Sequence, residues 1–135
     1  MTVEAATPDA VTTDAPIAEA ATTNVTPSDA GSPTGTVVAI AVGWWTSCAL
    51  LSTGEVECWG EATDGELGNG QLADSDKPIL VSGVQTATRI TGGGYDRCVF
   101  LQAGDVTCWG DNSYGEIESQ KLGLKVSTPL ILPGL

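Results

Sequence analysis

The sequence predicts an all-β fold made of two like units, and three observations carry that prediction. The first is a duplication: Cys48-Ala-Leu-Leu-Ser-Thr-Gly-Glu-Val-Glu-Cys58-Trp59-Gly60 returns, at a shift of 50, as Cys98-Val-Phe-Leu-Gln-Ala-Gly-Asp-Val-Thr-Cys108-Trp109-Gly110. The second is a series of short β-branched runs that end at glycines. The third is that no sustained helical periodicity occurs anywhere in the 135 residues. A fixed internal period marks a repeat architecture, in which one unit cannot bury its apolar faces without a neighbour.

The first 36 residues differ from the rest. They are dominated by Thr, Ala and Pro, and carry Glu4, Asp9, Asp14, Glu19 and Asp29 without one Lys, Arg or aromatic residue. Too little apolar surface is present to offset the entropy of ordering them, so residues 1–36 are expected to form an extended low-complexity arm. Within it, Asn24-Val25-Thr26 fits a glycosylation sequon, which has meaning only in a eukaryotic secretory pathway. The first repeat is then residues 37–86 and the second residues 87–135.

Each repeat opens on a strand, Val37–Val42 and Ala87–Thr91, rich in β-branched residues. The stretch from Cys48 to Trp59 forms a natural hairpin, with Ser52-Thr53-Gly54 as a three-residue loop and Gly54 in the left-handed conformation. That register pairs Leu51 with Glu55, Leu50 with Val56, Ala49 with Glu57 and Cys48 with Cys58. In the second repeat, Gln102-Ala103-Gly104 turns the chain so that Cys98 faces Cys108. Cys48, Leu50, Val56 and Cys58 share one face, while Ala49 and Leu51 share the other with Glu55 and Glu57. Strands that are apolar on both sides suit sheets stacked against sheets.

The correspondence extends further. Gly43 matches Gly93, Trp45 matches Tyr95, and Gly65-Glu66-Leu67 matches Gly115-Glu116-Ile117. The second repeat then gains one residue, so that Pro78 matches Pro129 and Gly83 matches Gly134.

Directly opposed residues on antiparallel strands lie about 4.5–5.5 Å apart at Cα, within reach of a disulfide. Cys48–Cys58 and Cys98–Cys108 are therefore expected to be disulfides, with free core thiols as the alternative. A zinc site is the least favoured reading, because nine residues separate each pair and the chain has no histidine.

The formal charge of −12 divides into −5 on the arm and −7 on the repeats. Phosphate backbones repel such a surface, and no basic stripe opposes that, so nucleic acid is not an expected partner. The longest apolar run, Val37 to Trp45, is about half of a membrane span, and no secretory signal is visible. Without histidine, a Ser/His pairing or a phosphate-binding glycine loop, no catalytic residues are assigned. No cofactor or metal is expected either. The spacing of Asp74 and Asp76 lacks the fuller oxygen-ligand loop that calcium needs and reads as an acidic surface loop.

The combination of Gly43, Cys48-Ala49-Leu50, Gly54, Cys58-Trp59-Gly60, Asp64-Gly65-Glu66-Leu67-Gly68-Asn69-Gly70 and Pro78 resembles the repeat of the regulator of chromosome condensation family. The second copy resembles it too, so the likeness covers about residues 37–135. The cysteines look like those of the bacterial and extracellular versions of this repeat. The resemblance implies β-propeller-type blades, each a four-stranded antiparallel sheet, in proteins that mostly act as interaction scaffolds. Some members exchange guanine nucleotides or bind chromatin through features outside the repeat, none of which is visible here. The chain departs from the pattern where the family often has His (Thr46 and Asp96) and where it favours Gln (Glu66 and Glu116). The second copy also has Glu118 and Gln120 in place of Gly68 and Gly70.

Two blades cannot close a propeller, so either the chain is a fragment or several copies assemble. Three copies would give six blades, which makes a homo-oligomeric trimer the favoured closure. Trp59 and Trp109 follow the cysteines at equivalent places and are expected to be structural. Trp44 and Trp45 are adjacent on an expected strand, so one should pack between blades and the other lie exposed at a rim. Trp44, Trp45 and Tyr95 form a candidate binding surface for protein or carbohydrate. These readings converge on a non-enzymatic interaction or structural subunit, extracellular or on a virion surface, such as a virion decoration or fibre protein. A ligand-binding fragment of a larger bacterial surface propeller is the alternative, and an exchange-type regulator the third reading.

Overall fold

Among the described residues, eight strands form two four-stranded antiparallel sheets in strict sequence order, β1-β2-β3-β4 and β5-β6-β7-β8. The structure is a computed structural model that describes residues 35–132; the expectations for residues 1–34, the sequon at Asn24 and Gly134 lie outside the described residues. The first sheet comprises β1 (Val37–Val42), β2 (Thr46–Leu51), β3 (Val56–Gly60) and β4 (Ser75–Leu80). The second comprises β5 (Ala87–Gly92), β6 (Asp96–Leu101), β7 (Val106–Gly110) and β8 (Val126–Leu132). One 3₁₀ turn, Ser119–Lys121, lies in the loop before β8. Each sheet is an up-and-down meander, the blade that the repeat implies.

The hairpin register is the one that the glycine loop dictates. Cys48 faces Cys58, Ala49 faces Glu57 and Leu50 faces Val56. The Leu51 amide donates to the Glu55 carbonyl at 2.9 Å, and Gly54 turns the chain at φ +91°. The second hairpin repeats this arrangement, with Cys98 opposite Cys108 and Gly104 at φ +101°. Both cysteine pairs are disulfides, with Cα atoms 4.1 Å apart in each. Pro78 and Pro129 sit in β4 and β8, the outermost strands, where a missing amide leaves no ladder bond unmade.

The core lies between the sheets. Cys48, Leu50, Val56 and Cys58 are all buried on the face that the first sheet turns towards the second. Val99 and Trp109, both fully buried, answer from the second sheet. Ala39 and Ala41 belong to this inner face too, since they pair with Leu50 and Cys48. The start of β5 is tied to the first blade as well, because the Ala87 amide donates to the Gly54 carbonyl at 3.0 Å. The backbone thus joins the start of the second blade to the hairpin of the first.

Candidate functional site

The polar part of the seam between the sheets is organised by one guanidinium. Arg97 stands on β6 beside Cys98 and is 0% exposed. Its side chain crosses to the first sheet, where Nη2 donates to the Thr46 carbonyl at 3.1 Å and also to Thr46 Oγ1. Nη1 donates to the carbonyls of Gly93 at 3.0 Å and Asp96 at 2.6 Å. Gly43 leaves the space that this requires, since a Cβ there would collide with Arg97 and the Gly94 carbonyl. Burial lowers the Arg97 pKa, and the nearby charges of Asp96 and Glu66 work in the opposite direction.

Trp109 makes the second crossing. Its indole Nε1 donates to the Glu66 carbonyl at 2.8 Å, across the seam. The ring lies against Gly68, whose φ is +65°; a Cβ there would come within 2.9 Å of the ring and of Val81. Gly68 is therefore required twice, by the backbone turn and by the indole.

Glu66 itself is buried under the second blade, 1% exposed. Its Oε2 accepts the Asp64 amide at 2.5 Å, while Oε1 has no hydrogen-bond partner. Burial pushes its carboxyl above the ordinary carboxylate range. The backbone hydrogen bonds counter that, and the charges of Asp64 and Glu61 add to it.

The aromatic candidates sit at one end of the two blades. Trp44 and Trp45 occupy the β1–β2 turn and not a strand, so their side chains are not divided between two faces. Both are exposed, at 69% and 62%, and neither packs between the blades as their adjacency led us to expect. The physical reason is the turn at Gly43, whose amide bonds the Thr46 carbonyl at 2.8 Å and pinches residues 44 and 45 outward. Trp44 reaches the second blade instead: its amide donates to the Gly94 carbonyl at 3.2 Å and its ring lies 5.5 Å from that of Tyr95. The turns are clasped alike, Glu61 N–H bonding the Trp45 carbonyl and Asp111 N–H the Tyr95 carbonyl, each at 3.0 Å. Asp74, in the neighbouring loop, spends Oδ1 on the Ala62 amide at 2.9 Å.

The two outward faces differ in character. On β1, Val38, Ile40 and Val42 are 59%, 69% and 61% exposed. They alternate with the inward Ala39 and Ala41, and next to them on β2 Ala49 and Leu51 are buried. On the outward face of the second sheet the corresponding inner strand offers Arg89 and Thr91, both exposed. The Arg89 guanidinium lies over the Phe100 ring, 4.4 Å from its centroid.

Residues 37–66 match the family model for the regulator of chromosome condensation (RCC1) repeat. The first blade is thus similar to an RCC1 repeat. The second repeat resembles the first by the internal correspondence, and its sheet has the same strand order, hairpin register and disulfide. Among solved structures, human WBSCR16 is similar at 26% identity, with a TM-score of 0.68 over 75% of this chain and 26% of that one. The Prp20p structure from Saccharomyces cerevisiae is similar at 20% identity and a TM-score of 0.68, over 77% of this chain and 25% of that one. Yeast RCC1 (Prp20) bound to Kap60 gives 19% identity and a TM-score of 0.65, over 77% and 24%. The yeast likenesses show the propeller-blade fold alone. The chain spans about a quarter of the length of these structures. No curated protein sequence matches it significantly.

Three buried polar residues were not singled out from sequence as site residues: Arg97 and Glu66 at the seam, and Asn112 within the second blade. Asn112 is fully buried, and its Oδ1 accepts the amides of Ile117 at 2.8 Å and Glu118 at 3.1 Å, holding the loop of the second blade. The signal for Arg97 was its mismatch with Ser47 in otherwise like hairpins. The signal for Glu66 was a carboxylate where the repeat prefers an amide.

Proposed function

We propose that this chain is a non-enzymatic protein-interaction module, one subunit of a larger assembly in which neighbouring blades complete its packing. The observation that carries this reading is the exposed stripe of Val38, Ile40 and Val42 on a sheet whose other face packs against the second blade. Branched apolar side chains left on a flat sheet face gain about 25 cal/mol per Å² when another surface covers them. The two disulfides favour a setting outside the reducing cytoplasm, and so an extracellular or virion surface, with a virion decoration or fibre protein as the concrete form. The yeast relatives support protein partners in general, since their structures are described with Kap60, Gsp1p and histones.

A second reading rests on length. A chain spanning a quarter of its structural relatives fits a ligand-binding piece of a larger cell-surface propeller, with Trp44, Trp45 and Tyr95 as an aromatic shelf for protein or carbohydrate. An exchange-type regulator is the third reading, and a nucleotide-exchange assay tests it directly.

The deciding experiment is the mass of the chain as isolated from its native source, by size exclusion with light scattering. A mass well above 13.7 kDa is expected, falling towards that value when Ile40→Asp places a charge on the stripe. A wild-type particle of 13.7 kDa in that native material, with the stripe intact, would overturn the assembly reading.

A further inference from the structure

The internal seam is a template for what each outward face can accept. A following blade docks on the first sheet through three devices: Arg97 clasping Thr46, Trp109 seated against Gly68, and the segment 65–70 lying against Ser127. In the last of these the Gly70 amide bonds the Ser127 carbonyl at 2.8 Å, and a Cβ on Gly65 would come within 2.8 Å of Ser127 Cα. If three identical copies closed a ring, the outward face of each second sheet would have to receive Trp59 of the next copy in the same way.

That face is not built to do so. Glu118 stands where Gly68 stands in the first repeat, with φ −149° in place of +65°. An incoming Trp59 would meet a side chain and a differently directed backbone. Gln120 replaces Gly70, whose φ is +84°, although Gly115 keeps the glycine that the close approach at Gly65 requires. Arg89 and Thr91 occupy the positions of the half-buried Ala39 and the buried Ala41, and Arg89 already covers Phe100. Charge opposes the contact too: Asp76, the counterpart of Ser127, would be brought against the loop that carries Glu116 and Glu118. Arg89, Thr91 and the loop of Glu116 and Glu118 thus set polar groups around an apolar centre of Phe100 and Leu130, and polar groups on an outer face are what a terminal repeat uses to end a stack.

We propose that the chain is directional: its second blade is a cap, and its first blade docks, through Val38, Ile40, Val42 and Trp59, onto an RCC1-type blade that is not a copy of its own. That partner blade carries glycine at the position of Glu118 and small apolar residues at those of Arg89 and Thr91. This deepens the assembly reading and rests on it. It replaces closure by identical copies with a heterotypic contact.

The full chain tests this without the natural partner. The wild type should sediment as a 13.7 kDa monomer at micromolar concentration. The variant Arg89→Ala/Thr91→Ala/Glu118→Gly/Trp59→Ala, which has the cap opened and its own docking tryptophan removed, should also be monomeric alone. Mixed with wild type it should form a one-to-one complex, doubling the mass. Glu118→Gly in the wild-type background is the milder variant and should self-associate more tightly than wild type. Circular dichroism and the absence of alkylatable thiols report whether each variant is folded. A wild-type oligomer that Trp59→Ala dissociates would overturn the proposal, and so would folded variants that remain monomeric in both experiments. Failure of the broader assembly reading registers elsewhere, as a monomer in the native source.

Discussion

Trp59 and Trp109 occupy the same place in two copies of one motif, so substituting each with alanine isolates what the seam contributes. Trp109 is 0% exposed and donates to the Glu66 carbonyl at 2.8 Å. Removing a fully buried Trp costs about 3–5 kcal/mol in lost burial and residual cavity. Leaving the Glu66 carbonyl without its donor adds about 1 kcal/mol, so Trp109→Ala should cost about 5 kcal/mol. Trp59 is only partly buried, and Trp59→Ala should cost about 2 kcal/mol. For a unit of this size the first change lowers Tm by about 20 °C or more. Urea unfolding followed by far-ultraviolet circular dichroism is the suitable assay, since each variant removes one of the four tryptophans whose emission a fluorescence titration would compare. If the two costs agree within about 1 kcal/mol, the seam does not distinguish the two tryptophans and the packing argument fails.

Glu66→Gln probes the buried carboxyl. Burial raises its folded-state pKa above the unfolded value, so its contribution is fully present below the unfolded pKa and is lost as pH rises through the folded one. The neutral variant should be more stable than wild type at pH 7 and show a flatter Tm profile above about pH 4.3; an unchanged slope would refute this. Each disulfide closes a short loop, so Cys48→Ser/Cys58→Ser should cost about 3 kcal/mol by denaturant titration, and the oxidised wild type should show no thiol to iodoacetamide. Gly68→Ala meets both a left-handed backbone and the Trp109 ring, and should cost about 3 kcal/mol in the same titration. Gly104→Ala has φ +101° but nothing within 4 Å of its added methyl, and should cost about 1 kcal/mol. Equal losses at the two glycines would show that the ring contact contributes nothing.

The blades were legible because their determinants are local. A glycine in the left-handed conformation, flanked by alternating apolar residues and bracketed by cysteines, sets the hairpin register from within 11 residues. The runs Val37–Val42 and Ala87–Thr91 likewise announce β1 and β5, the latter ending one residue later at Gly92. What sequence reasoning missed depends on residues brought together across about 50 positions. Arg97 is buried only because Gly43 and Thr46 of the other repeat receive it. Glu66 is buried only because Trp109 and its blade lie over it, whereas Glu116, its uncovered counterpart, is exposed. The two tryptophans were misplaced for a related reason: the Gly43 amide closes a tight turn on Thr46, and alternation along a strand stops there.

Both disulfides lie inside single hairpins, each spanning 10 positions, and neither crosses the seam. Under tension applied at its two ends, the chain would yield first along the seam and the edge strands, held by packing and hydrogen bonds alone. The hairpin loops would stay shut, each withholding roughly 30 Å of contour length. The oxidised molecule is therefore a tether with two fixed stops. Its resistance to pulling is set by the blade-to-blade contact, and its final reach by the redox state of its surroundings.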